Sequence, residues 1–150
     1  MVARVLPTVR LAFTCDDAVQ RTDGKWVVTN PRADILIPSG VALPVNVKEI
    51  WVYVQLTEGV GEFDLAPELR YVEVDDTRSV IGRGKATRLA FPAGSQLQVL
   101  GTAFRITRIP FTKQGVYEFA VVSTTDEDST EYVPVPGQTA LFRVLTEGAE

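Results

Sequence analysis

A chain of 150 residues fits one domain, expected to span 1–150, and is long enough to bury one sizeable core. Hydrophobic residues make up 45% and charged residues 23%, a globular mixture that excludes general disorder. A formal charge of −4 and a pI near 4.9 disfavour general binding to nucleic acid or to anionic membrane, since both need basic excess.

In chain order the apolar residues follow a period of two. Residues 1–7 are expected to fray. Val9, Leu11, Phe13 and Cys15 then alternate with Arg10, Ala12, Thr14 and Asp16, which predicts a strand with those four on one buried face. Asp23-Gly24 is a tight-turn signal, and Trp26-Val-Val-Thr29 returns to complete a hairpin. Pro31, Pro38 and Pro44 punctuate the stretch from Asn30 to Asn46, which should run along an edge or as a loop, with Ile35-Leu-Ile37 as a short edge strand.

Ile50, Val52, Val54 and Leu56 mark a central strand with Trp51 and Tyr53 on its other side. Phe63, Leu65, Leu69 and Tyr71 point inward on the next, against Glu62, Asp64, Glu68 and Arg70 outward. Val80 to Phe91 reads as a weaker, glycine-interrupted strand pair. Gln96 to Phe111 is a long β run, and Tyr117, Phe119 and Val121 alternate inward after the Gly115 turn. Thr124 to Thr130 is a polar hairpin tip, Tyr132 to Leu145 carries the last strand, and 146–150 should fray. Eight or nine strands with no convincing helix predict an all-β, two-sheet antiparallel sandwich.

Leu11-Ala-Phe-Thr-Cys15-Asp16 with Thr22-Asp-Gly24-Lys25, Ile50-Trp-Val-Tyr-Val-Gln-Leu56, and Phe111-Thr-Lys-Gln-Gly115-Val-Tyr117-Glu-Phe119 stand together in this sequence. They resemble a family of small bacterial β-sandwich proteins known only as a domain of unknown function. The last segment also resembles the Gly-x-Tyr-x-Phe corner of immunoglobulin-like sandwiches, with Gln114 where a proline would stand. The resemblance implies an immunoglobulin-like fold and carries over no active site.

Little here is equipped for chemistry. There is no histidine, so Ser-His and Cys-His arrangements are unavailable, and the usual zinc sites lose their imidazole. Cys15, the one cysteine, can form no intramolecular disulfide, and its place on an apolar strand face reads as a small core residue. No apolar run suits a signal peptide or the roughly 20 residues of a membrane helix. A cytoplasmic protein without cofactor, membrane or nucleic-acid partner is expected.

Gly82-Arg-Gly84-Lys85 invites a phosphate-loop reading that fails, because Ser79 and Ala86 stand where glycine and a hydroxyl are required. A bent strand is the alternative. Asp126, Asp128 and Glu131 offer hard oxygen ligands for calcium, or simply a solvated hairpin tip. Asp16-Asp17 and Asp75-Asp76 read as turn chemistry, since adjacent strand residues face opposite ways.

Charge is segregated along the chain. From Glu49 to Asp76 there are eight acids and one base, and from Arg78 to Lys113 seven bases and no acid. Either acidic and basic strands pair across one sheet, or one side of the molecule is basic and docks a partner or another copy. On the second reading Arg83, Lys85, Arg88, Arg105 and Arg108 are binding candidates. Trp51 and Tyr53 form either a surface platform for a sugar or protein, or a layer covered by the proline-rich stretch. The expected function is a non-catalytic interaction module for a protein partner or itself. The alternative is a small-ligand or carbohydrate-binding module, with or without calcium.

Overall fold

The computed structural model describes residues 4–94, 98–124 and 131–147. Among them are eleven strands and no helix. These are β1 (Thr8–Gln20), β2 (Trp26–Pro31), β3 (Asp34–Ile37), β4 (Val45–Thr57), β5 (Gly61–Val72), β6 (Arg78–Arg83), β7 (Thr87–Phe91), β8 (Leu100–Phe111), β9 (Gly115–Thr124), β10 (Tyr132–Pro134) and β11 (Ala140–Thr146). Two sheets face each other. One runs β2-β1-β4-β8; the other runs β3-β11-β9-β5-β6, with β7 on β5 and β10 on β9. No helix among the described residues is long and apolar enough to cross a membrane.

The core lies between the sheets. Ile50, Val52, Val54 and Leu56 of β4 meet Phe63 and Leu65 of β5 and Tyr117, Phe119 and Val121 of β9. Tyr117 and Phe119 each stack on Phe142 of β11, at 5.8 and 5.3 Å between ring centroids. Such aromatic pairs add about 0.5–1.5 kcal/mol beyond their burial. The inward alternation read for β4 and β9 holds.

Three expectations are corrected. The sheets are not wholly antiparallel, because β3 enters beside β11 in parallel. The chain leaves the β1–β2 hairpin in one sheet and crosses to the other, and a crossover permits parallel pairing where a hairpin does not. Ile35 to Ile37 is nonetheless an edge strand, as expected. The strands number more than eight or nine because the last strand is broken into β10 and β11, both on β9, and the edge beside β5 into β6 and β7. β6 and β7 are no pair: each pairs β5, over Glu68–Val72 and Gly61–Leu65 respectively.

The third correction concerns β1. Its register against β4 shifts between Val9 and Leu11, one residue being left over. A bulge of one residue exchanges the two faces of a strand. Val9 therefore joins the main core, while Phe13 and Cys15 lie opposite Tyr53 and Trp51 on the outer face.

Along one side the sheets are sewn together. Val9 N–H donates to the Pro136 carbonyl at 2.8 Å, and Gln138 N–H donates to the Val9 carbonyl at 2.9 Å. Gly137 lies between them at φ +116°, where a Cβ would overlap the Val9 carbonyl. The opposite side, between β6 and β8, has no such seam among the described residues.

Candidate functional site

The open side starts from a proline. Pro67 sits within β5, and its carbonyl accepts from Gly84 N–H at 2.8 Å, so its missing N–H faces the same edge. The edge strand breaks there into β6 and β7. A Cβ on Gly84 would sit 2.8 Å from Pro67 Cγ, which leaves the place to glycine. The bent-strand reading of Gly82 to Lys85 is the observed one. One step earlier the β5–β6 register shifts, pairing Leu69 with Gly82 and Arg70 with Val80. Ile81 is the extra residue of that bulge and is 42% exposed.

β8 faces this edge and is irregular at the same level. Arg108 has φ +56°, and Pro110 follows. Strands interrupted in this way resist edge-to-edge pairing, and among the described residues β6 and β8 do not pair. The gap is a cavity of about 160 Å³ lined by Leu69, Ile81, Gly84, Ile106, Ile109 and Phe119, with Arg108 at its wall. A second hollow of about 420 Å³ adjoins it, sharing Arg83, Gly84, Ile106 and Thr107 and lined also by Lys85 and Arg105.

Four of the five basic candidates therefore border one opening, and Arg88 does not. They differ in what their charges meet. Arg83 Nε donates to Glu68 Oε2 at 3.2 Å, and its guanidinium lies 4.2 Å from the Tyr132 ring on the outer face. Arg105 Nε is 3.2 Å from Glu49 Oε1. Arg88 Nε and Nη2 donate to the Asp64 carboxylate, both at 3.1 Å. These arginines hold Glu49 and Asp64 below the usual carboxylate range, through hydrogen bonds in both cases. Lys85 and Arg108 form no ion pair among the described residues. Much of the charge segregation is thus cross-strand pairing, leaving two cations at the opening.

A denser network, not anticipated as a unit, lies on the outer face of the larger sheet. Glu118 and Glu68 are 3% and 6% exposed. Glu118 accepts from Arg78 Nε at 3.1 Å and from Thr139 Oγ1 at 2.9 Å, with Arg70 Nη1 at 3.5 Å. Glu68 accepts from Arg70 Nε at 2.8 Å as well as from Arg83. Every carboxylate here is engaged by a guanidinium, which suits a structural role. The available signal was alternation of acids and bases on neighbouring strands, visible only once the strands are ordered.

On the smaller sheet, Tyr53 and Trp51 separate. Tyr53 is 9% exposed, its ring 5.4 Å from Phe13 and 6.2 Å from Trp26. Trp51 is half-buried, and its indole N–H donates to Glu49. The cover is the β1–β2 hairpin, not the proline-rich stretch. β1 parts from β4 after Cys15, and Trp26 near the hairpin tip donates its indole N–H to the Gly101 carbonyl of β8 at 2.9 Å. Tyr53 Oη would lie 2.7 Å from a Cβ at Gly101, so that glycine makes room for the layer.

Cys15 is 2% exposed in this layer, and burial pushes its thiol up to about 11. The thiol is therefore neutral at ordinary pH and inert. A thiol reagent such as Ellman's at pH 8 should label fewer than about one molecule in ten within minutes and all of them in denaturant. Rapid labelling of native protein would show that the hairpin does not cover the residue.

Asp126 and Asp128 lie outside the described residues, and Glu131 is exposed. No cluster of metal-ligating side chains occurs among the described residues.

No protein-family model matches the chain, and a search of curated proteins finds no match. Among solved structures, a β-glucosidase from Listeria innocua in complex with isofagomine aligns over 93% of this chain at 10% identity, with a TM-score of 0.36. The chain spans only 16% of that protein's chain, and a likeness at this level carries no argument about function.

Proposed function

We propose that this chain is a non-catalytic binding module whose open side receives an acidic element of a protein partner. The observation that carries it is the cavity between β6 and β8, apolar inside and flanked by two cations, Lys85 and Arg108, that no carboxylate of the described residues engages. A concave apolar floor with positive charge at its rim suits an apolar side chain flanked by carboxylates. The other basic candidates are already neutralised within the molecule. A sugar platform is less well supported, because Tyr53 is packed beneath Phe13 and Trp26.

The immunoglobulin-like reading of the fold belongs with this proposal. Tyr117 Oη donates to the Lys113 carbonyl at 2.7 Å, the bond expected of a tyrosine corner at the start of such a strand. The order β11-β9-β5-β6 facing β4-β8 fits that arrangement, with β1 alongside as an added strand. The same corner supports kinship with the uncharacterised bacterial family, and a lone buried thiol fits a reducing cytoplasm.

The test is titration with a short peptide of alternating Glu and Val, followed by backbone amide shifts. Shifts should concentrate at Ile81–Lys85 and Ile106–Ile109, and Arg108→Glu should weaken binding about tenfold or more. Millimolar peptide that leaves those amides unmoved would refute the docking site.

A further inference from the structure

The turn between β5 and β6 is an apolar knob in an acidic setting. Val74 is fully exposed, and Glu73, Asp75 and Asp76 surround it in sequence. A single exposed apolar side chain is ordinary on a protein surface, and what marks this one is its place at the tip of an ordered acidic turn. This turn is also held rigidly. Glu73 N–H donates to the Thr77 carbonyl at 2.8 Å, and Asp76 N–H donates to the Glu73 carbonyl at 2.9 Å. Asp75 Oδ1 accepts from Thr77 N–H at 3.1 Å and from its hydroxyl at 2.7 Å. Asp76 takes φ +69° and binds Arg78 Nη1 at 2.8 Å, while Ser79 Oγ donates to Glu73 Oε1 at 2.9 Å. A loop ordered beforehand loses little entropy on docking.

We propose that Val74 of one protomer enters the β6–β8 cavity of a second copy, with Glu73 and Asp75 facing Lys85 and Arg108. This inference rests on the docking site proposed above and names its occupant. Three observations favour a second copy. The cavity of about 160 Å³ is lined by Leu69, Ile81, Ile106 and Ile109, a suitable surround for a valine side chain. The charges are complementary, Glu73 and Asp75, which form no ion pair among the described residues, against two cations without carboxylate partners among them, while Asp76 is held by Arg78. Within one protomer the knob and the cavity lie toward opposite ends of β6, an extended strand that cannot fold back on itself. The cavity can therefore be filled by a knob only from another molecule.

Such a contact either closes reciprocally as a two-fold dimer, each knob in the other's cavity, or propagates head to tail into a ring or an open chain. Its charged part weakens with salt.

Analytical ultracentrifugation of the full chain tests this. At about 20 mM salt the weight-average mass should rise with concentration up to about 1 mM, and at about 0.5 M salt it should fall toward the monomer. Val74→Asp removes the knob, while Arg108→Glu or Lys85→Glu damages the cavity rim. Each should weaken association at least about tenfold. All three sites are exposed, and an unchanged thermal midpoint confirms folding. Lys85→Glu replaces Arg108→Glu if the latter unfolds.

Mixing Val74→Asp with either rim variant should restore association, but only as 1:1 dimers, because each variant keeps one half of the contact and growth then stops. A wild-type chain that stays monomeric at 1 mM in low salt would overturn the inference. So would a wild type that associates while the mixture remains monomeric. In both cases binding of the Glu/Val peptide would leave the docking site itself standing with a different occupant.

Discussion

Gly137→Ala is expected to cost about 4 kcal/mol and to lower the thermal midpoint by roughly 10 °C or more. At φ +116° an L side chain is strained, which costs about 1–3 kcal/mol. The new Cβ also collides with the Val9 carbonyl, and backbone cannot swing aside as a flexible side chain can. Relief would break the bonds from Val9 to Pro136 and from Gln138 to Val9, worth about 0.5–1.5 kcal/mol each. Gly82→Ala is the control, since a Cβ there meets nothing within 4 Å, and it should change stability by less than about 1 kcal/mol. Urea or thermal unfolding of the two variants decides it. Equal stabilities would mean the seam between the sheets is looser than these bonds imply.

Glu118→Ala should cost about 3 kcal/mol, measured as the shift in urea midpoint at constant slope. The carboxylate is 3% exposed and accepts from Arg78 and Thr139, with Arg70 beside it. Its removal leaves Arg70, whose side chain is 17% exposed, to Glu68 alone. A half-buried guanidinium that loses one of its two carboxylates is left with part of its desolvation cost unrepaid. Glu118→Leu combined with Arg70→Met should therefore recover most of the loss, with a coupling of about 1–3 kcal/mol. A loss below about 1 kcal/mol for Glu118→Ala would place the network in water and make its arginines available to ligands.

The basic candidates show how far charge can be read along a chain. Arg83, Lys85, Arg88, Arg105 and Arg108 are equivalent as letters. Three of them meet Glu68, Asp64 and Glu49, which lie 15, 24 and 56 residues away. Which cations are left for a partner is decided by strand order, and Lys85 and Arg108 could not have been singled out without it. The cavity between them was equally hidden, because Leu69, Ile81, Ile106 and Ile109 come from three strands on two sheets. Gly82 and Gly84 were the local sign that this edge strand would bend, and Pro67 stands beside the break, its carbonyl taking Gly84 N–H.

By itself the sequence determined what depends on neighbours a few residues apart. Period-two alternation makes β4 and β9 strands and sends Val52, Val54, Tyr117 and Phe119 inward. Asp23-Gly24 closes the first hairpin, Gly24 taking φ +84°. Burial of Cys15 was legible too, but its side of the sheet was not. One extra residue near Arg10 reversed the faces, and a bulge leaves no mark on composition. Only the tertiary structure decided that β3 lies parallel to β11, that the hairpin covers Tyr53, and that one side is sewn at Gly137 while the other stays open. Those features arise between segments far apart in the chain, where geometry and not local pattern selects the partner.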